Sequence, residues 1–237
     1  MKASIFIATY NKNEGLPNVL VSIDKQITNF EFEVCAIDDH SLVDPRPIYE
    51  KYLKKVPFKY NRLPNRVGTR KSLCHCLDLI SPDSTIVISQ SSDVMYGDSH
   101  LLQKMYNKVA PYTVVMPEVR NISIPVDLYL NFDRDIDKYL GEETIKVEEA
   151  KKGNDFLFYA GPRQPNPKHR WYMFLAAILK EDLLKTCYSY NCFDRAVSDR
   201  MHRLGFICHY LSGPIGIHQR HERNFPEITN GDGTYDI

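Results

Sequence analysis

The sequence lacks long apolar runs and a net charge. No stretch reaches the roughly 18 consecutive apolar residues of a transmembrane helix, so we expect no membrane span. Met1 and Lys2 lead directly into a strand-like run without the apolar core of a signal peptide, which predicts a cytoplasmic protein. The formal net charge is +0, which gives no overall electrostatic bias toward nucleic acid or an anionic membrane.

Paired cysteine motifs are also missing. None of the six cysteines has C-x-x-C spacing, and Cys74-x-Cys76 has no second pair that would complete a zinc site. This usage indicates reduced thiols in a cytosolic protein. A chain of 237 residues with 43% hydrophobic residues, no repeat and no linker favours one domain.

Short apolar runs alternate with helical stripes through the first half of the chain. A stripe from Leu16 to Ile27 with Pro17 in its first turn predicts one helix, and Asp98 is expected to cap another. The predicted strands lie at residues 4–8, 32–37, 57–63, 85–89 and 112–116. This alternation predicts an α/β fold with a mostly parallel central sheet flanked by helices.

The second half is less regular. Residues 118–170 lose the periodicity and are expected to form an insertion with long loops. Regular patterns return with helices at 180–187 and 193–204 and with separate strands near 206–210 and 215–218.

Polar residues follow three of the predicted strands. They are Thr9-Tyr10-Asn11, Asp38-Asp39 and Gln90 to Asp93. Because ligands of open α/β sheets bind beyond the carboxyl ends of the strands, the sequence predicts a site where these ends converge.

Five segments, in order, resemble the motifs of GT-A fold, family 2-type inverting glycosyltransferases, which use nucleotide-sugars. They are SIFIATYNKNEGLPNVLVSI, EVCAIDDHS, NRVGTRKSL, IVISQSSDVMYGD and AAILKEDLLKTCYSYNCFDRAVSDRMHRLGF. The resemblance implies a single GT-A domain over residues 1–237. Its parts would be a nucleotide-sugar-binding half (1–117), a variable insertion (118–170) and an acceptor or catalytic half (171–237).

The chain departs from the family pattern at several motif positions. His40 replaces the glycine of D-D-G-S, and Lys71 replaces the asparagine of A-R-N. Asp93 is the single carboxylate where the family has D-x-D, and the E-D pair is reduced to Ser198-Asp199. The thinned D-x-D and E-D motifs leave open a catalytically inactive GT-A-like protein that binds a glycan or partner. A sugar nucleotidyltransferase on a similar sheet is a second alternative, which the lack of a glycine loop after the first strand disfavours.

The resemblance implies a donor site with chemistry that its residues can supply. Asp39, and to a lesser degree Asp38, would accept a hydrogen bond from N3–H of uracil or thymine, which cytosine lacks. The alternative for Asp38 and Asp39 is an ordinary Asx-type turn. Tyr10 would pack on the base. The other residues assigned to the donor are Thr9, Asn11, Glu14, Arg70 and Ser92, with a plain surface arginine as the alternative for Arg70.

A divalent metal, Mn²⁺ or Mg²⁺, is implied at the leaving diphosphate. Asp93 is the expected carboxylate ligand and His218 the second ligand, with His221 as a weaker candidate. Arg220 and Arg223 offer direct neutralisation of the diphosphate as an alternative.

Asp199 is the expected general base for the acceptor hydroxyl. The alternatives are an exposed helix acid paired with Arg195 or Arg203, and Asp194 or Asp155 as the base. The expected partners are a nucleotide-sugar donor and a glycan or small-molecule acceptor. Local basic clusters, such as residues 219–223, leave a modified nucleic acid open as the acceptor.

Overall fold

The fold was analysed in a computed structural model that describes residues 2–122, 140–143, 156–159, 175–186, 200–201 and 203–219. The helices are α1 (Leu16–Asp24), α2 (Arg46–Tyr52), α3 (Thr69–His75), α4 (Leu101–Tyr106) and α5 (Lys180–Thr186), and a 3₁₀ turn (Cys76–Leu79) continues α3. The strands are β1 (Lys2–Thr9), β2 (Glu31–Asp38), β3 (Phe58–Arg62), β4 (Ser84–Ser91), β5 (Val94–Tyr96), β6 (Thr113–Ile122), β7 (Leu140–Glu143), β8 (Phe156–Tyr159), β9 (Leu175–Leu179) and β10 (Ile207–Gln219).

The described strands form one sheet in the order β3-β2-β1-β4-β9-β6-β10-β5, with β7 added beside β6 and β8 beside β10. β1, β2, β3 and β4 are mutually parallel, and β6 is parallel to β10. β9 runs antiparallel between β4 and β6. The predicted α/β fold with a mostly parallel sheet is therefore confirmed.

Successive side chains of the central strands pack alternately into two hydrophobic cores, one on each face of the sheet. Ile5 and Ile7 of β1 pack in a core with apolar residues of α1, α2 and α4. Phe6, between them, belongs to the opposite core with Leu183 of α5 and Cys76 after α3. This follows from the period of two in a strand, and a strand buried on both faces reads as a continuous apolar run. The sheet is consequently covered by helices on both faces.

Two local predictions about the helices were wrong. Ile27 lies past the end of α1 and is 56% exposed, because the chain turns away and its N–H donates to the Ser99 carbonyl. The N-cap of α4 is His100 rather than Asp98. Asp98 lies two residues earlier, where its carboxylate accepts the His100 N–H at 2.6 Å. Pro17 does lie in the first turn of α1 as predicted.

The later part of the sheet also differs from the prediction. The two strands expected near 206–210 and 215–218 are one strand, β10, which carries an irregularity in its register between Leu211 and Ile215. β6 continues to Ile122, and β7 and β8 lie within the segment that was expected to form long loops. None of the helices that the structure describes is long and apolar enough to cross a membrane.

Candidate nucleotide-binding site

The carboxyl ends of the central strands meet at one edge of the sheet. Thr9 is level with Asp38, Asp38 is level with Arg62, and Ala8 pairs with Ser91. The end of β10 reaches the same edge, because the Gln219 N–H donates to the Asp93 carbonyl at 2.8 Å. The convergence predicted from the polar strand ends is therefore present.

Asp38 is buried and holds the loop that follows β2. Its carboxylate accepts the Ser41 N–H at 3.1 and 3.2 Å and the Ser41 hydroxyl at 2.5 Å. Arg62 Nε lies 3.4 Å from Asp38 Oδ2, and Arg62 also donates to the Ser41 carbonyl. These contacts favour a structural role for Asp38, and its role in base binding stays a prediction.

Asp39 is also buried, and it organises the loop between β3 and α3. Oδ1 accepts the Val67 N–H at 2.7 Å, and Oδ2 accepts the Gly68 N–H at 2.8 Å. Gly68 has φ 92°, a conformation that favours glycine. Burial raises the pKa of the Asp39 carboxyl, although these two N–H groups and the charge of Arg66 act to lower it. Burial therefore disfavours the ionised form of Asp39, and one more N–H donor to the carboxylate would stabilise that form.

The Tyr10 ring carries a cation on one face. The Arg66 guanidinium lies 4.1 Å from the ring centroid, within the range of a cation–π contact. Arg66 precedes Val67 in the loop that Asp39 holds, so Arg66 and Asp39 lie together beside the end of β1. Next to Tyr10, Thr9 is buried and its hydroxyl donates to the Ile37 carbonyl at 3.2 Å. Tyr10 and Asp39 are therefore brought to one place, as the sequence predicted.

The remaining predicted donor residues occupy different positions around this edge. Asn11 has φ 49°, and it joins two loops because its N–H donates to Ser41 Oγ and its Oδ1 accepts the Leu42 N–H. Glu14 is exposed, and Ser92 is buried. Arg70 lies in the first turn of α3, and its side chain is outside the described part of the chain.

The turn that carries Asp93 is braced from inside. Ser92 and Asp93 connect β4 to β5, and the buried Gln90 side chain donates to the carbonyls of Val94 and Ser91. Ser91 Oγ donates to Asp93 Oδ1 at 2.5 Å, which fixes the carboxylate. The polar residues at the end of β4 therefore form a hydrogen-bonded turn, which places the Asp93 carboxylate at the shared edge of the sheet.

Asp93 and His218 lie together, as predicted for a metal pair. His218 Nε2 is 3.7 Å from Asp93 Oδ2. Lys12 Nζ approaches the same oxygen at 3.6 Å, and the Asp93 side chain is only 14% exposed. Among the described residues, no group of three or more His, Cys, Asp or Glu could hold a metal ion. The pair fits a divalent ion only as a partial shell, which phosphate oxygens and water would complete.

Several predictions fall on residues outside the described part of the chain. They are Asp199 as the base, Asp194 and Asp155 as its alternatives, and the cationic or metal-binding roles of Arg220, His221 and Arg223.

Sequence reasoning missed Lys12, and it placed Arg66 only in a basic cluster at residues 62–66 and not beside Tyr10. Both belong to the quoted motifs, TYNK and NRVG, but their partners Asp93 and Tyr10 are distant in the sequence. The signal that could have indicated these two residues was their basic side chain within a loop of a family motif. The sequence alone does not say which strand end such a residue faces.

The sheet, with helices on both faces and polar strand ends at one edge, has the GT-A fold of the solved structures described below. A family model described as glycosyl transferase family 2 matches residues 4–182. The chain therefore belongs to glycosyl transferase family 2. A search of curated proteins finds no significant match to the chain.

Solved structures with the same fold include a bacterial and an archaeal protein. S. aureus TarS 1–349 in complex with UDP has a TM-score of 0.67 at 17% identity, over 93% of this chain and 61% of that one. Its complex with UDP-GlcNAc gives 0.65 at 17% identity, over 96% and 62%. Mannosyltransferase PcManGT from Pyrobaculum calidifontis, in complex with GDP-Man and Mn²⁺, gives 0.60 at 16% identity, over 94% and 58%. The chain thus spans about three fifths of these structures.

Proposed function

We propose that the protein transfers a sugar from a UDP- or dTDP-sugar to an acceptor hydroxyl, with inversion and with the help of a divalent metal. The observation that carries the proposal is the shared edge of the sheet, where Asp39, Tyr10 and Asp93 lie at adjacent strand ends in a family 2 chain. The UDP and UDP-GlcNAc complexes of TarS support a uridine donor. The proposal includes a cytoplasmic location and a glycan or small-molecule acceptor.

Asp39 is the group that would select the base. A carboxylate offers about four acceptor positions, and the N–H groups of Val67 and Gly68 take two of them. The capacity that remains suits N3–H of uracil or thymine, whereas N3 of cytosine carries no proton. The raised pKa of Asp39 supports this role, because an added donor would offset the cost of the buried charge.

Asp199 would serve as the base in a single displacement. The acceptor oxygen attacks the anomeric carbon while the bond from that carbon to the diphosphate oxygen breaks. The carboxylate of Asp199 takes the proton of the acceptor hydroxyl, and the nucleoside diphosphate leaves with the electron pair. Attack from the face opposite the leaving group inverts the anomeric carbon.

Asp93 and His218 would hold Mn²⁺ or Mg²⁺, which supplies Lewis-acid stabilisation of the leaving diphosphate when it is bound. The Mn²⁺ complex of PcManGT supports this assignment. The Ser91 hydrogen bond keeps the Asp93 carboxylate in place, so that Oδ2 faces His218.

A calorimetric titration with UDP, dTDP and CDP in Mn²⁺ tests the proposal. We expect UDP and dTDP to bind about tenfold or more tightly than CDP, because CDP lacks the N3–H donor. Asp39→Asn should remove most of this preference. Asp83→Asn is the matched control, because Asp83 is 70% exposed and lies at the opposite edge of the sheet. Equal affinities for UDP and CDP in the unmodified protein would refute the role of Asp39.

A GT-A-like protein that only binds its ligand is the second candidate. Its support is the single carboxylate at Asp93, which already has the Lys12 ammonium beside it. Hydrolysis of a UDP-sugar without acceptor distinguishes the two, because a binding protein would leave the sugar–phosphate bond intact.

A further inference from the structure

Lys12 places a cation at the position where the leaving diphosphate is expected. Its Nζ lies 3.6 Å from Asp93 Oδ2, and the Lys12 and Asp93 side chains are 20% and 14% exposed. His218 Nε2 approaches the same oxygen at 3.7 Å. A single carboxylate oxygen therefore has an ammonium and an imidazole beside it, in a setting largely withdrawn from water.

The loop that carries Lys12 is anchored on both sides. The Lys12 carbonyl accepts the Leu16 N–H at 3.2 Å, where α1 begins. Asn11 ties the loop to the segment after β2 through Ser41 Oγ at 2.9 Å and the Leu42 N–H at 2.8 Å. These bonds fix the Lys12 backbone relative to α1 and to the segment after β2, and from there the side chain reaches Asp93.

An ammonium and a divalent ion repel each other when they share one carboxylate oxygen, and the repulsion is strong where water is scarce. A bound diphosphate changes this balance, since its oxygens offer the ammonium a new partner of opposite charge. Lys12 can then leave Asp93 Oδ2 to the metal. Nucleotide and metal would enter this edge as a coupled pair.

We infer that Lys12 is a binding residue for the donor diphosphate and that it competes with the metal for Asp93 until the nucleotide is bound. This inference rests on the proposed function. The motif has lost one of its carboxylates, and a lysine of the β1–α1 loop supplies positive charge directly to the leaving group. The metal and Lys12 then share the neutralisation of the diphosphate.

The test measures two affinities that should move in opposite directions. Lys12→Ala should raise the affinity of the nucleotide-free protein for Mn²⁺ about tenfold, measured by electron paramagnetic resonance of the free ion. The same variant should lower the affinity for UDP in metal-free buffer about tenfold and leave the affinity for uridine unchanged, measured by calorimetry. A merely structural lysine would weaken UDP and uridine equally.

Two further variants keep the test interpretable. Lys12→Arg retains the charge and should stay close to the unmodified protein in UDP affinity. Lys104→Ala removes another lysine paired to an aspartate, Asp98 at 2.6 Å, and should change neither affinity. Unchanged or weaker Mn²⁺ binding in Lys12→Ala, or equal losses for UDP and uridine, would overturn the inference. If the unmodified protein binds neither UDP nor dTDP, the proposed function fails and this inference fails with it.

Discussion

Replacing Glu33 by glutamine should destabilise the protein strongly at neutral pH. Glu33 is 3% exposed, and it accepts the Ser4 hydroxyl at 2.9 Å and the Ser81 N–H and hydroxyl at 2.8 and 2.7 Å. Lys2 and Lys59 lie 3.4 and 3.2 Å from Oε2. Burial alone would raise the pKa of Glu33, but these hydrogen bonds lower it from 4.5 to about 2.

The shift gives both the size and the pH dependence of the effect. A folded pKa below the unfolded value means that the ionised Glu33 stabilises the fold, by about 3 kcal/mol at pH 7. This contribution is fully present above pH 4.5 and is lost as the pH falls toward 2. The difference in free energy of unfolding between the native protein and Glu33→Gln should therefore shrink by about 2 kcal/mol between pH 7 and pH 3.

Urea unfolding at several pH values measures this difference. Glu31→Gln is the matched control, because Glu31 is an exposed glutamate on the same strand and its loss should change stability by less than about 0.5 kcal/mol. A gap for Glu33→Gln that stays constant between pH 7 and pH 3 would show that the carboxylate charge is not what stabilises this position.

Three further predictions concern the candidate site. Asp38→Asn should lower the free energy of unfolding by about 2–3 kcal/mol, because the buried Ser41 and the partly exposed Arg62 lose their charged acceptor. A loss below about 0.5 kcal/mol in urea would contradict this role. Asp39→Asn should lower the free energy of unfolding by about 2 kcal/mol, because the side-chain amide has one oxygen and can accept only one of the N–H groups of Val67 and Gly68. An unchanged thermal unfolding temperature would argue against this role of Asp39. Arg66→Ala should strengthen UDP binding about threefold by uncovering Tyr10, whereas a tenfold loss would make Arg66 a direct ligand contact.

Much of the sheet follows from the sequence because the strands are buried on both faces. The central residues 5–7, 34–37 and 86–88 of three parallel strands are apolar and buried, and the polar residues that follow them predict the edge where the site lies. The antiparallel position of β9 between β4 and β6 is a long-range pairing, and no local pattern encodes it.

Only part of the candidate site could be predicted, because contacts between segments distant in the sequence are not encoded in local patterns. Asp93 and His218 could be paired because the family motifs suggest them, and the structure brings them together. The contact between Lys12 and Asp93 depends on how the β1–α1 loop packs against the β4–β5 turn, which residue types alone do not reveal. The base contact predicted for Asp38 stays a prediction, and the contacts of its carboxylate with Ser41 and with Arg62 of the neighbouring strand could not be read from the sequence.

The proposed transfer is tested most directly by the release of nucleoside diphosphate from a panel of UDP- and dTDP-sugars, with Mn²⁺ present and water as the acceptor. We predict that the unmodified protein releases UDP or dTDP from at least one of these sugars. Asp199→Asn should slow the release about a hundredfold or more while its affinity for UDP is retained. Near-normal release by the Asn variant, or no release from any nucleotide-sugar by the folded unmodified protein, would contradict the account.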